Sequence, residues 1–177
     1  MPQPTDNPVD GAIVRFIGRH HVLTLATTGV GPMGAEPKET EERTAEERTA
    51  EERAADGAER KRGAEVPWCC NLFYAYDKVR NRFIFSSGPE TRHGQELKRN
   101  SRVAASIVLE TRVVGRVQGL QITGEATPAD EAGRGVYLKR FPYAAVLELN
   151  LWQLSPDCMK LTDNTLGFGK KLIWRRS

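Results

Sequence analysis

The chain has 177 residues, 39% of them hydrophobic and 28% charged, with a formal net charge of +3. That is enough apolar material for one core and too little chain for two domains of ordinary size. No apolar run approaches the roughly 18 residues of a membrane span, and Met1 to Asp10 has neither the basic start nor the apolar middle of a secretory signal, so the expectation is a cytoplasmic protein with no membrane partner.

Taken in chain order, Asp6, Asn7 and Pro8 are helix-start signals, and Val9, Ile13, Phe16 and Ile17 follow at helical spacing, which predicts a short helix with one face on the core. "HHVLTLATTG" then reads as a strand near 21–28, and "PWCCNLFYAYD" as a second near 67–76. Between them lies a charged near-repeat, "ERTAEERTAEERAADGAERKR". From Gly34 to Glu65 there are 11 acidic and 7 basic residues, so the rest of the chain carries 19 basic against 12 acidic. The unit TAEER repeats every five residues, about 500° of helix rotation, so no face recurs and no coiled-coil seam can form. Lengthening a hairpin loop to about 40 residues costs only about 2 kcal/mol in closure entropy. The stretch 34–65 is therefore read as an insertion at a hairpin tip of a single domain, 1–177.

Further strands are expected near 82–87, 102–111 and 116–127, around "LNLWQL", over Cys158 to Thr162 and at "KKLIW", with a helix from Ala129 to Pro142. Strands this numerous with so few helices predict a mainly β fold, a closed or nearly closed antiparallel barrel. Cys69, Cys70 and Cys158 show no CxxC spacing and are read as reduced thiols, and the three histidines do not cluster with acids at metal-ligand spacing, so no metal is expected. The basic end "KKLIWRRS" is one short cluster, read as a solubilising terminus and not as a nucleic-acid surface.

The segment richest in chemistry is "FIFSSGPETRHGQELKRN". A strand ends at Ser86 and Ser87, turns at Gly88 and Pro89, and enters a helix at Glu90 and Thr91 with Arg92 and His93 in its first turn. Cations at a helix start oppose its dipole. Two readings stay open on these residues: a phosphate held by free N–H groups, the Thr91 hydroxyl and the Arg92 fork, or an ordinary capped helix whose Arg92 and His93 face water. No residue stands out as a general acid or base.

The run from Trp68 to Glu125, centred on "FIFSSGPETRHGQELKRNSRVAASI", resembles the pyridoxamine 5′-phosphate oxidase-like FMN-binding split barrels, and "TDNTLGFGKKLIW" resembles the ending of their YhbP-type bacterial branch. The resemblance implies a six-stranded antiparallel split barrel with an N-terminal helix and short flanking helices, a homodimer with two sites at its interface, and a bound FMN. Ser86 and Ser87 stand where the family's strand-end residues approach the flavin, and Thr91, Arg92 and His93 where a Ser-Arg-Lys run holds its phosphate. Asn71 stands in place of an arginine, and Gln118 near a glutamine that reaches over from the partner subunit. Lys170 and Trp174 are expected at the pocket rim, because the oxidase's substrate-phosphate residues have no counterpart here. The function implied is a small oxidoreductase exchanging electrons with a small-molecule donor or acceptor. The alternatives are a non-catalytic protein that binds or senses flavin, deazaflavin or haem, and an interaction module working through the charged insertion.

Overall fold

The computed structural model describes residues 7–30, 65–167 and 169–177. Its first helix, α1 (Gly11–Arg19), begins at Asp10, whose Oδ1 accepts the Ala12 N–H at 2.7 Å. The helix starts later than the earlier signals predict because Asn7 is committed elsewhere: its Nδ2 donates to the Arg175 carbonyl at 2.9 Å, and its own carbonyl accepts the Trp174 indole N–H at 2.9 Å. The segment before α1 is thus strapped to the last strand, while Ile13, Phe16 and Ile17 turn one buried face inward as their spacing requires.

Strands β1 (Val22–Val30) and β2 (Glu65–Asp77) pair antiparallel from Val22 opposite Phe73 to Val30 opposite Glu65. The segments flanking the charged stretch are therefore one hairpin; residues 31–64, with nearly all of that stretch, lie outside the described residues. The chain continues through β3 (Arg82–Ser86), helix α2 (Arg92–Arg99), β4 (Arg102–Leu109), β5 (Gln118–Pro128), helix α3 (Glu131–Arg140), β6 (Leu151–Asp163) and β7 (Lys171–Arg175). The sheet runs β3-β2-β1-β4-β5-β6-β7, all antiparallel, and a further pairing of β3 with β6 closes six strands into a ring with β7 added on the outside of β6. This is the split barrel that the sequence predicts.

One difference concerns β6, which unites "LNLWQL" and Cys158–Thr162 in a single strand. Pairing with β5 skips Asp157, so that Thr123 faces Cys158 while Gly124 faces Pro156. This bulge accommodates a proline that has no N–H for the ladder, and Gly124 leaves the room: a Cβ there would lie 2.2 Å from the Ser155 carbonyl oxygen. Inside the ring, alternate residues of each strand form the main core, among them Leu25, Tyr74, Phe85, Ile107, Leu120 and Leu154. Trp174 of β7 belongs to this core and is 3% exposed, so the basic C-terminal cluster has no free aromatic face for a base to stack on. Helix α3 packs on the outside, where Tyr137 and Phe141 cover Ala75 and Ile84.

One buried cation adds to this attachment of α3. Arg82 donates from Nε to Asp77 Oδ2 at 3.0 Å and pairs through Nη2 with Asp130 Oδ1 at 2.9 Å, while Nη1 reaches Gln153 of β6. Asp77 Oδ1 also accepts the Val79 and Arg80 N–H groups and so closes the β2–β3 turn, and Asp130 caps α3 through the Gly133 N–H. Burial alone would raise the Asp77 carboxyl, but hydrogen bonds from Arg82, Arg80 and Val79 more than offset it and hold the group below its ordinary value of 3.8. Asp130 is lowered as well, chiefly by its hydrogen bond from Arg82. Carboxyls depressed in the folded state contribute stability that is present above the unfolded value and is lost as pH falls through the folded one. The expected outcome is a folding stability that declines steeply below about pH 4 in wild type, with Asp77→Asn about 3 kcal/mol less stable at pH 7 and less pH-dependent below pH 4. Urea midpoints measured from pH 2 to 7 check this, and parallel curves for the two proteins would refute it.

Candidate functional site

At the end of β3 the Ser87 N–H donates to the Asn150 carbonyl at 2.9 Å, and the buried Ser87 hydroxyl has no partner among the described residues. The chain then folds tightly. Thr91 caps α2, donating its hydroxyl to the Gly88 carbonyl at 2.8 Å and accepting the Gly94 N–H at 3.1 Å. Gly94 sits so close beneath the turn that a Cβ would lie 2.1 Å from the Gly88 oxygen. With the Gly94 N–H taken by the Thr91 side chain and the Gln95 N–H by the Thr91 carbonyl, the two remaining first-turn donors, the N–H groups of Arg92 and His93, have no partner among the described residues.

Arg92 departs from the reading of a capped helix whose cation faces water. Its side chain is only 14% exposed, so it does not face water, and an anion within the chain already answers it: Nε donates to Glu96 Oε1 at 2.9 Å. The guanidinium carbon also lies 4.4 Å from the centre of the Trp68 ring, on its face. Glu96 itself is buried, and its other oxygen accepts the Thr27 hydroxyl of β1 at 2.5 Å. Strands β1 and β2 and helix α2 thus meet around the Arg92–Glu96 pair. His93 is half-buried, with Nε2 3.3 Å from the Thr91 hydroxyl. Burial lowers its pKa against the opposing pull of Glu96 and Glu90, which leaves a neutral imidazole at pH 7. Glu90 is exposed on the turn, folded against Gly88, and adds negative charge at this end of the helix.

The other expected site residues are spread over the barrel. Asn71 projects from the outer face of β2, where its Oδ1 accepts the Thr24 hydroxyl at 2.8 Å, while Trp68 and Arg92 lie on the opposite side of that strand. Gln118 donates to Asp163 Oδ2 at 2.9 Å. Burial would raise the Asp163 carboxyl, yet hydrogen bonds from Thr165 and Gln118 hold it low. Ser86 pairs with Leu151 and Gln118 with Asp163, at the two ends of β6, roughly 40 Å apart along the strand. The ladder therefore does not bring these two residues together within one chain. Lys170 is exposed in the turn before β7, its N–H bonded to the Gly167 carbonyl, and neither it nor Trp174 joins the Arg92 cluster.

Spacing alone did not single out Trp68, Thr27 or Glu96. The Arg92–Glu96 separation of four residues was a legible signal for a helical ion pair, but the two strand residues are joined to it only by the fold. A cleft of about 460 Å³ opens beside Ser87, lined also by Lys98, Asp130, Arg134, Asn150 and Trp152, and no motif had marked it. Burial pushes the Cys70 thiol up to about 11, with Cys69 and Glu96 adding to the shift, so it stays protonated; Cys69 is exposed on the outer face. Among the described residues no group of three His, Cys, Asp or Glu side chains could hold a metal ion, and no helix is long and apolar enough to cross a membrane.

No family model matches the chain. Among solved structures it is similar to a protein related to general stress protein 26, of the pyridoxinephosphate oxidase family, from Clostridium acetobutylicum: TM-score 0.55 and 10% identity over 93% of this chain and 92% of that one. A heme binding protein from Mycobacterium smegmatis gives 0.58 and 15% over 90% of this chain and 55% of that one. At such identities the likeness is one of fold, the split barrel. In sequence, a UPF0306 protein of Photorhabdus laumondii is 37% identical over 168 residues, 93% of this chain and 94% of its own length. An identity of that level over almost the whole of both chains makes this chain a member of the UPF0306 family.

Proposed function

We propose that the chain binds FMN at the start of α2 and works in the cytoplasm as a small flavin-dependent oxidoreductase. The observation that carries the reading is Arg92, fixed at Nε by Glu96 and on one face by Trp68, beside two backbone N–H groups with no other partner among the described residues. That donor set fits a phosphate: a guanidinium fork, two amides and a helix start all favour an anion with several acceptor oxygens. Thr91 spends its hydroxyl within the turn, so its part is to shape the cradle. His93, neutral at pH 7, contributes a hydrogen bond where a lysine would contribute fixed charge. Ser86 and Ser87, at the end of β3, would stand toward the ring system. Bound FMN would supply the electron transfer, with a small-molecule donor and acceptor, while the protein supplies binding and exclusion of water.

Homodimer assembly belongs to the same proposal. The outer face of β1 and β4 carries small side chains, Thr24, Ala26, Ala104 and Ser106, in adjoining rows, edged by exposed Phe73, Val22 and Val108. Such a flat, low-relief face is suited to a second copy of itself. Gln118 and Ser86 sit at opposite ends of β6, which supports a glutamine reaching the flavin across such an interface.

A second reading, flavin, deazaflavin or haem held without turnover, draws support from the heme binding protein that shares the fold. Reduction of the FMN-loaded protein by NADH or NADPH, with onward transfer, separates it from the enzyme.

Arg92→Ala is expected to weaken FMN binding tenfold to a hundredfold, on the order of 1.5–3 kcal/mol for a charge-assisted contact, and to leave riboflavin, which lacks the phosphate, unaffected. His93→Lys is expected to tighten FMN binding. Titration of both flavins by fluorescence decides the matter, and an unchanged FMN affinity in Arg92→Ala removes the anchor. Light scattering at micromolar concentration is expected to return twice the protomer mass for wild type and a single protomer mass for Ala104→Arg, a change on an exposed position that leaves the core alone. A monomeric wild type would rule out the dimer.

A further inference from the structure

The geometry points to a role for Glu96: we infer that this buried carboxylate is a positioning residue, holding the Arg92 guanidinium in the one orientation that presents its outer fork to a phosphate. The inference rests on the FMN reading of the α2 cradle and goes beyond it to a residue that does not itself touch the ligand.

Glu96 is 6% exposed, a rare condition for a carboxylate, and both its oxygens are occupied. Oε1 accepts Arg92 Nε at 2.9 Å and Oε2 accepts the Thr27 hydroxyl at 2.5 Å, so its own rotation is blocked from the β1 side. Gly29, on the same strand, leaves it room: a Cβ there would come within 2.6 Å of Glu96 Cγ. Arg92 is held in turn on two sides, through Nε by the carboxylate and through its π face by Trp68. Among the described residues, no hydrogen bond engages Nη1 or Nη2. An arginine fixed at Nε and on one face retains only its distal edge for binding, the edge that matches two phosphate oxygens. Ordering the side chain before the ligand arrives removes an entropic cost that a freely rotating arginine would incur on binding.

Glu96 also carries a negative charge next to an anion site, and this opposes FMN by Coulomb repulsion. The two effects predict opposite signs, so variants separate them. Glu96→Gln keeps an acceptor for Nε and removes the charge; Glu96→Ala removes both. If Glu96 positions Arg92, Glu96→Ala weakens FMN binding about tenfold, the usual scale for losing a hydrogen bond to a charged group, with riboflavin unchanged, and Glu96→Gln stays within about threefold of wild type. Thr27→Val, which frees one side of the carboxylate while keeping side-chain volume, lies between them and serves if Glu96→Ala fails to fold. FMN and riboflavin dissociation constants for these proteins and for Arg92→Ala are measured by flavin fluorescence quenching.

Tighter or unchanged FMN binding in Glu96→Ala, or in Thr27→Val where that protein replaces it, overturns the inference while Arg92→Ala still loses FMN selectively. Equal losses for FMN and riboflavin show a structural role only and also overturn it. If wild type fails to prefer FMN over riboflavin, the FMN reading fails first and the inference with it, an outcome distinguishable because Arg92→Ala then changes nothing.

Discussion

The backbone ladder between β3 and β6 joins Phe83 to Leu154 and Ser86 to Leu151, residues far apart in sequence, and through it an open sheet becomes a ring. Without that pairing β3 would be an edge strand with a row of unpaired amides, and the barrel interior would open to water. Closure also fixes the exit of β3. The Ser87 N–H is held by Asn150, and the chain has one direction left, into the turn that presents Thr91 and the start of α2. The position of the candidate site is therefore a consequence of how the barrel shuts.

Two arginines, Arg82 buried and Arg92 largely enclosed, show the same physics put to different uses. Arg82 is surrounded by Asp77, Asp130 and Gln153, so its side-chain donors are directed within the protein and it works as a clamp between the β2–β3 hairpin, β6 and α3. Arg92 has one carboxylate and one aromatic face, and its outer edge is bonded to none of the described residues. A buried cation ringed by acceptors of its own chain favours rigidity; one with an edge to spare favours an anion arriving from outside. The expectation that Arg92 sits uncompensated at a helix start is replaced by a more specific arrangement, in which Glu96 offsets the unfavourable dipole in the free protein.

The separation of Ser86 from Gln118 by the length of β6 bears on assembly as well as on the site. The two residues stand at opposite ends of the ladders that β6 makes with β3 and β5. The small side chains of β1 and β4 offer a flat wall by which a second copy could bring the far end of one barrel to the near end of another.

Much of the fold was legible in the sequence because it depends on local pattern. Period-two alternation in "RVAASIVLE" marks a half-buried strand, helical spacing places Ile13, Phe16 and Ile17 on one face, and the β-forming flanks of the charged stretch identify a hairpin. Local pattern also marked Thr91 as a cap and Arg92 as a cation out of place at a helix start. What the tertiary structure decided is which groups meet. The bulge that makes β6 one strand depends on Gly124 facing Ser155 and Pro156 across the sheet, a pairing that neither segment encodes alone. Asn7 leaves the helix because Trp174 and Arg175 hold it, 167 and 168 residues away. Trp68 and Thr27, facing each other in the β1–β2 hairpin, join Arg92 and Glu96 because α2 packs on that hairpin. Hydrogen bonds and ring contacts act over a few ångströms in space whatever the distance along the chain, so sequence alone names the donors and the fold assigns their partners.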